Sequence, residues 1–205
     1  MSGPEPEPAP RAALWRAGWY PFCAHSFSPN FGARPPAAVV GLIVLHCISL
    51  PPGHYTGDAV QRFFGNELDC RAHPYFKSLE GLRVSSHFFI RRSGELQQFV
   101  SCDERAWHAG VSSYRERSDC NDHSIGIELE GVAGGSFEQS QYDTLTRLCA
   151  AIMQRYPITD IAGHEHVAPG RKTDPGTGFE WSRLQQMMGL SPNFFPHDAM
   201  LPHNT

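Results

Sequence analysis

No stretch of this chain approaches the roughly 18–20 consecutive apolar residues that a bilayer span needs, which excludes an α-helical membrane anchor within it. Its opening, MSGPEPEPAPRAALW, lacks a basic n-region followed by an apolar core, so no secretory leader is expected and the address is predicted to be cytoplasmic. There is no excess of positive charge: 17 Lys+Arg stand against 21 Asp+Glu, a net −4. That argues against a generic nucleic-acid binder, which usually carries a basic face or stripe, and leaves room for a local basic patch that meets an anionic small ligand. There is no CxxC, and the six cysteines are widely and irregularly spaced, so a zinc ribbon and a disulfide framework are both excluded and free thiols are expected. No internal repeat is present.

What remains is a globular chain. At 205 residues, 40% hydrophobic and 19% charged, with 13 Phe, 6 Tyr and 4 Trp, it is long enough for one ordinary domain with a real core. The 17 Pro and 19 Gly predict much loop. Residues 1–36 are expected to be an irregular arm lying on the domain, its first twelve or so disordered; 37–190 form the domain, and 191–205, with three prolines, a loose tail.

Within the domain, 38–45 (AVVGLIVL) is a nearly unbroken apolar run, as a strand buried on both faces would be, ending at His46. A short helix is expected over 57–65, and a loop over 69–81. Strands are expected over 84–92 and 95–100, joined by a turn at Ser93-Gly94. Residues 101–123 read as a long connection. The alternation of SIGIELE predicts a strand over 124–130. A helix is expected over 136–156, with Ser136 as N-cap, Gln139 in a capping box and Pro157 as the stop. A short strand over 158–162, a polar segment over 163–178 and a helix over 179–188 complete the domain. Strands and helices are intermixed, so the fold class is α/β with one central mixed sheet.

Eleven histidines are generous for this length. His46 directly follows a buried strand, and His164 follows the short strand near Ala162, with Asp174 ten residues further on. Two imidazoles and one carboxylate, with a fourth position left to water, make a catalytic zinc set. Taken singly, a histidine at a strand end is more often a hydrogen-bonding or surface residue. His166 is a rival ligand, because in an extended segment it faces the same side as His164; His87 and His108 are further candidates. Glu128 and Glu130 share one face of their strand, opposite Ile125, Ile127 and Leu129. They are either a general base with its neighbour or a solvated sheet face. Lys172 is either a clamp for a developing oxyanion or a surface cation.

Six collinear segments resemble a known family: VLHCISLPPG (44–53), AHPYF (72–76), LRVSSHFFIRRSGELQQFV (82–100), RAWHAGVSSY (105–114), CNDHSIGIELEG (120–131) and GHEHVAPGRKTDPG (163–176). Together they look like the AmpD branch of the zinc-dependent N-acetylmuramoyl-L-alanine amidases, over about residues 40–185. Peptidoglycan-recognition proteins and T7-type lysozymes share the fold at greater distance. The resemblance implies a single domain with a central mixed sheet flanked by helices and zinc at the sheet's open face. It assigns one Zn2+ per chain to His46, His164 and Asp174, and so decides against His166. It makes Glu128 the general base, with Glu130 an auxiliary neighbour, and Lys172 the oxyanion partner. Arg83 falls where the family grips the anionic peptide, and His108 near the site. The substrate implied is a small soluble muropeptide, cut between the lactyl group of (1,6-anhydro-)N-acetylmuramic acid and L-alanine by a cytoplasmic monomer acting in peptidoglycan recycling, with no nucleic acid and no membrane as partner.

The chain also departs from the family pattern. Cys47 stands where Asn is expected after the first ligand, as a potential competing thiol ligand. Asp119 replaces an arginine just before Cys120, leaving Arg115 or Arg117 to reach the substrate carboxylate. Glu165 and His166 sit where smaller or neutral residues are usual. Two alternatives are carried: a muropeptide-binding module that does not cut, and a cysteine enzyme built on Cys47 or Cys120 with a nearby histidine. Retention of His46, Glu128, His164, Lys172 and Asp174 argues against the binding module.

Overall fold

The computed structural model describes residues 15–197. Ten strands are present among them: β1 (Ala24–His25), β2 (Phe31–Gly32), β3 (Leu42–Ile48), β4 (Phe88–Ile90), β5 (Leu96–Gln98), β6 (Arg105–Ala106), β7 (Ser113–Tyr114), β8 (Arg117–Ser118), β9 (Ser124–Glu130) and β10 (Asp160–Gly163). The α-helices are α1 (Ala59–Phe64), α2 (Gln139–Met153), α3 (His164–Val167) and α4 (Trp181–Met188). Six strands form the main sheet in the order β1-β5-β4-β9-β3-β10. Only the β4·β5 hairpin is antiparallel, so the sheet is mixed, as expected.

Side chains alternate across the sheet, and the two faces have different tasks. Ile43 and Leu45 of β3, Phe88 and Ile90 of β4, and Ile125, Ile127 and Leu129 of β9 pack against Leu145, Leu148, Cys149 and Ile152 of α2 and Trp181 and Leu184 of α4. The opposite face carries His46, Gly126 and Glu128 between two smaller apolar clusters. One holds Val44, Ala109, Ala162 and Val167. The other holds Phe64, Phe76, Phe89 and Phe99. The polar side chains are thus set in a wall of apolar ones on the face that α2 leaves open.

The strand over 124–130 lies where its alternation placed it. β3 does not: it starts four residues later than the apolar run, ends three residues later and carries His46 within it, because its polar end stays paired with β9. The connection over 101–123 is not bare loop, since it contains β6, β7, β8 and a 3-10 turn at Cys120–Asp122. Another 3-10 helix, Pro74–Leu79, occupies the expected loop over 69–81.

α2 starts three residues later than the Ser136 reading. Its N-cap is Glu138, whose backbone N–H donates to the Gln141 side chain at 3.0 Å. Phe137 before the cap and Tyr142 in the first turn both pack on Phe179, with centroids 5.7 and 5.3 Å away, which fixes the entry of the chain into the helix. The helix ends at Met153, before Pro157.

The arm is more than a covering. Its residues 24–25 form the edge strand β1, parallel to β5, and Trp15 and Tyr20 are buried in the main core. The first twelve residues lie outside the described part. Of the tail, 192–194 form a 3-10 turn and Phe195 is buried against Trp181, so the expectation of looseness fails there. The remaining tail residues, 198–205, lie outside the described part.

Candidate metal centre

The parallel pairing of β3 with both β9 and β10 assembles the site. β10 ends at Gly163, opposite Leu45, so His164 arrives beside His46 although 118 residues separate them. On the other flank Glu128 lies directly across from His46 in the β3·β9 register. The loop after α3 then brings Asp174 back over the sheet, where its carbonyl accepts from the Glu165 N–H at 2.9 Å.

Three donor atoms converge. His46 Nδ1 is 2.9 Å from His164 Nδ1, His164 Nδ1 is 3.1 Å from Asp174 Oδ2, and His46 Nδ1 is 3.3 Å from the same oxygen. Tetrahedral ligands at the usual 2.0–2.1 Å from zinc lie about 3.3 Å apart, so the triangle has nearly the edges a shared zinc requires. Among the described residues these three form a group able to hold a metal ion. His46 and His164 are buried, at 1% and 4% exposure, and Asp174 is partly open.

The outer partners match the same use. His164 Nε2 lies 3.2 Å from the Ala109 carbonyl. A carbonyl can only accept, so the imidazole proton is on Nε2 and Nδ1 keeps its lone pair. His46 Nε2 is 3.0 Å from His108 Nδ1. Two imidazole lone pairs and a carboxylate oxygen meeting at about 3 Å repel one another unless a cation lies among them, and the donor set of two nitrogens and one oxygen suits zinc.

Electrostatics reinforce the arrangement. Burial, with His164 beside it, lowers His46 to about 4 and keeps it neutral. Glu128 shifts the other way. Burial first, and then the Asp174 charge, push it well above the ordinary carboxylate value, while Lys172 pulls it back. Glu128 is 9% exposed, and its Oε2 has no hydrogen-bond partner among the described residues. An unpaired buried carboxylate oxygen beside a metal-ligand triangle is costly in stability and useful for moving a proton.

A cleft of about 420 Å³ opens over these groups, lined in part by His46, His108, Glu128, His164, Lys172 and Asp174. Lys172 is therefore at the cleft and exposed, and not merely on a remote charged loop. Arg83 is exposed between Leu82 and Val84, which line the cleft. Arg117 lies on the β7·β8 hairpin and is not among the cleft-lining residues. His108 lines the cleft, but both its ring nitrogens are engaged inward, to His46 and to Ser124, so its polar contacts go to the protein rather than to a ligand.

His166 is separated from its rival because 164–167 is a helical turn and not an extended segment. Its Nδ1 accepts from the Gly163 N–H at 2.9 Å and its ring meets Trp181 edge-on, so it caps α3. His87 is a buried structural imidazole: Nδ1 accepts from Gly126 N–H at 3.0 Å and Nε2 lies 3.1 Å from the Glu104 carbonyl. Glu130 is neither solvated nor free. It is 3.3 Å from Arg91 Nη1 and accepts from the Arg92 N–H at 3.0 Å.

Cys47 alternates to the opposite side from His46, packs at the edge of the helix-side core and points Sγ towards the Pro175 carbonyl at 3.9 Å. Burial pushes its thiol up, which disfavours the thiolate that a ligand or a nucleophile needs. All six cysteines are free.

Several site residues carry no sequence signal of their own. Asn121 accepts from the His108 and Ala109 N–H groups at 3.1 and 2.8 Å, and Arg171 donates to the Ala109 carbonyl. Gly126 carries a faint one, as a glycine inside a strand. A Cβ there would lie 2.5 Å from the His108 ring.

The family model described as N-acetylmuramoyl-L-alanine amidase matches residues 36–177. The 1,6-anhydro-N-acetylmuramyl-L-alanine amidase AmpD of Citrobacter freundii is 45% identical over 173 residues, covering 83% of this chain and 92% of that protein. A crystal structure of a selenomethionine AmpD derivative superposes with TM-score 0.83 at 45% identity, covering 85% of this chain and 98% of the other. The Escherichia coli amidase AmiD, in complex with the substrate anhydro-N-acetylmuramic acid-L-Ala-D-γ-Glu-L-Lys, superposes at TM-score 0.54 and 29% identity, over 75% of this chain and 60% of the other. This chain belongs to the N-acetylmuramoyl-L-alanine amidase family.

Proposed function

We propose that the chain is a zinc-dependent amidase. It hydrolyses the amide between the lactyl group of 1,6-anhydro-N-acetylmuramic acid and the L-alanine of a soluble stem peptide, in cytoplasmic peptidoglycan recycling. The observation that carries the reading is the triangle of His46 Nδ1, His164 Nδ1 and Asp174 Oδ2, with the unpaired Glu128 Oε2 beside it. The relatives' substrate class, as their names give it, supports the same reaction.

His46, His164 and Asp174 would hold one zinc ion, which supplies Lewis acidity: it polarises the scissile carbonyl and makes water a nucleophile near neutral pH. Glu128 takes the proton of the attacking water on Oε2. Its raised proton affinity makes it a stronger base than a solvated glutamate. Lys172 faces the same cleft and meets the negative charge that develops on the carbonyl oxygen. Glu128 then returns the proton to the leaving alanine nitrogen as the C–N bond breaks. One water is consumed, and a lactyl carboxylate and a free peptide amine are released.

Arg83, at the rim, is assigned to the anionic stem peptide. Arg117, farther out on its hairpin, is assigned an approach role only. No helix among the described residues is long and apolar enough to cross a membrane.

The test is product identity. Incubation with anhydro-muramyl-tripeptide should yield the anhydro sugar acid and the free tripeptide by mass spectrometry. Saturable binding of the intact muropeptide without either product would instead identify a non-cutting binding module.

A further inference from the structure

We propose that His108 is a positioning residue that sets the tautomer of His46 through a one-way hydrogen-bond relay, leaving His46 Nδ1 as a lone pair aimed at the metal position. The inference rests on the metal-centre reading above and adds a residue whose two ring nitrogens contact His46 and Ser124.

The direction of the relay follows from its far end. Ser124 Oγ–H donates to the Cys120 carbonyl, which can only accept. With its proton committed there, Ser124 Oγ must accept from His108 Nε2, 3.2 Å away. His108 then carries its proton on Nε2, and its Nδ1 is an acceptor. The neighbour of that acceptor is His46 Nε2 at 3.0 Å, so His46 donates from Nε2. The opposite face of the His46 ring edge, Nδ1, is left unprotonated where it meets His164 Nδ1 and Asp174 Oδ2. A single backbone carbonyl on the 3-10 turn thus decides, three hydrogen bonds away, that His46 is ready to ligate.

The relay is held from two sides. Asn121 fixes the backbone of His108 and Ala109 by accepting from both N–H groups. The bare Cα of Gly126 provides the space in which the His108 ring lies, since a Cβ would come within 2.5 Å of His108 Cγ. Ala109, next in the chain, gives its carbonyl to His164 Nε2 at 3.2 Å. Two consecutive residues therefore orient both imidazoles, one by a side chain and one by the backbone.

The test compares zinc affinity, by chelator competition, in the wild type and in H108N, H108L and S124A, with thermal melts as a check on folding. Outer partners of this kind are typically worth about 10–100-fold in metal affinity. H108N places an amide oxygen near the position of the lost Nδ1 and should retain most of the affinity. H108L fills similar space without an acceptor and should lose about 10–100-fold. S124A leaves both rings in place but frees His108 to turn its proton towards His46, and it should also weaken zinc.

Equal zinc affinity in wild type, H108L and S124A would overturn the relay while leaving the metal centre intact. A wild type that binds no zinc overturns the metal-centre reading, and the relay with it. S124A removes one oxygen atom, so it tests the relay even if H108L fails to fold.

Discussion

Glu128 and His46 stand directly opposite each other on neighbouring parallel strands, β9 and β3, with both side chains on the face that α2 leaves open. The pairing puts a proton acceptor and a metal-ligand candidate at one height on a rigid sheet. Neither position depends on a loop. Glu128→Gln preserves shape and burial while removing the base. It should leave zinc stoichiometry unchanged and lower kcat by about 10²–10⁴-fold. Loss of zinc together with activity would mean that Glu128 is a ligand rather than the base.

Lys172 lines the cleft, where the proposed reaction uses its charge. Lys172→Ala should reduce kcat by about 10²–10³-fold with little change in metal content or melting temperature. A change confined to KM would assign it to ground-state binding of the substrate instead.

His164 and His166 are two residues apart and differ completely in role. His164→Ala removes one corner of the donor triangle and should abolish both zinc retention and turnover. His166→Ala removes the acceptor for the Gly163 N–H and the packing on Trp181. It should cost about 1 kcal/mol of stability and keep the metal. Metal analysis of the two variants side by side decides the assignment.

Gly126 has a close approach to protect. Gly126→Ala drives a Cβ into the His108 ring, which cannot retreat without breaking its contacts to His46 and Ser124. An overpacking penalty of about 1–3 kcal/mol is expected, together with weakened zinc binding. An alanine variant with wild-type melting temperature and zinc affinity would show that the ring has room to move.

Buried neutral histidines make the metal-free protein acid-sensitive. His87 is lowered to about 3, first by burial and then by the Arg34 charge. Its folded value lies below the unfolded 6.5, so the unfolded chain binds more protons between these limits. The stabilisation is complete above pH 6.5 and is lost progressively as pH falls towards 3. His87 alone should account for a loss on the order of 2 kcal/mol between pH 7 and 5. His87→Gln should flatten that slope in urea titrations of the apo protein, and an unchanged slope would relocate the sensitivity elsewhere.

How much of this was legible in the sequence depends on where each feature is encoded. β9 was legible to the residue because its alternation is local. β3 was displaced because an apolar run reports burial, whereas the strand continues through His46 and Cys47 by pairing with β9. The arm's edge strand, two residues long, has no pattern to see. Pattern alone could not choose His164 over His166, since that choice turns on whether the segment is extended or helical; the family resemblance supplied it. The partners that orient the ligands were invisible for a simpler reason. The Cys120 and Ala109 acceptors are backbone carbonyls, and Ser124 is one serine among many.

The central claim is that one zinc ion held by His46, His164 and Asp174 makes this chain an amidase. The most direct test is metal content by mass spectrometry on untagged protein, paired with hydrolysis of anhydro-muramyl-tripeptide before chelation, after it, and after zinc is restored. The account predicts about one zinc per chain, with turnover lost on chelation and recovered with the metal. Full turnover in metal-free protein would contradict it.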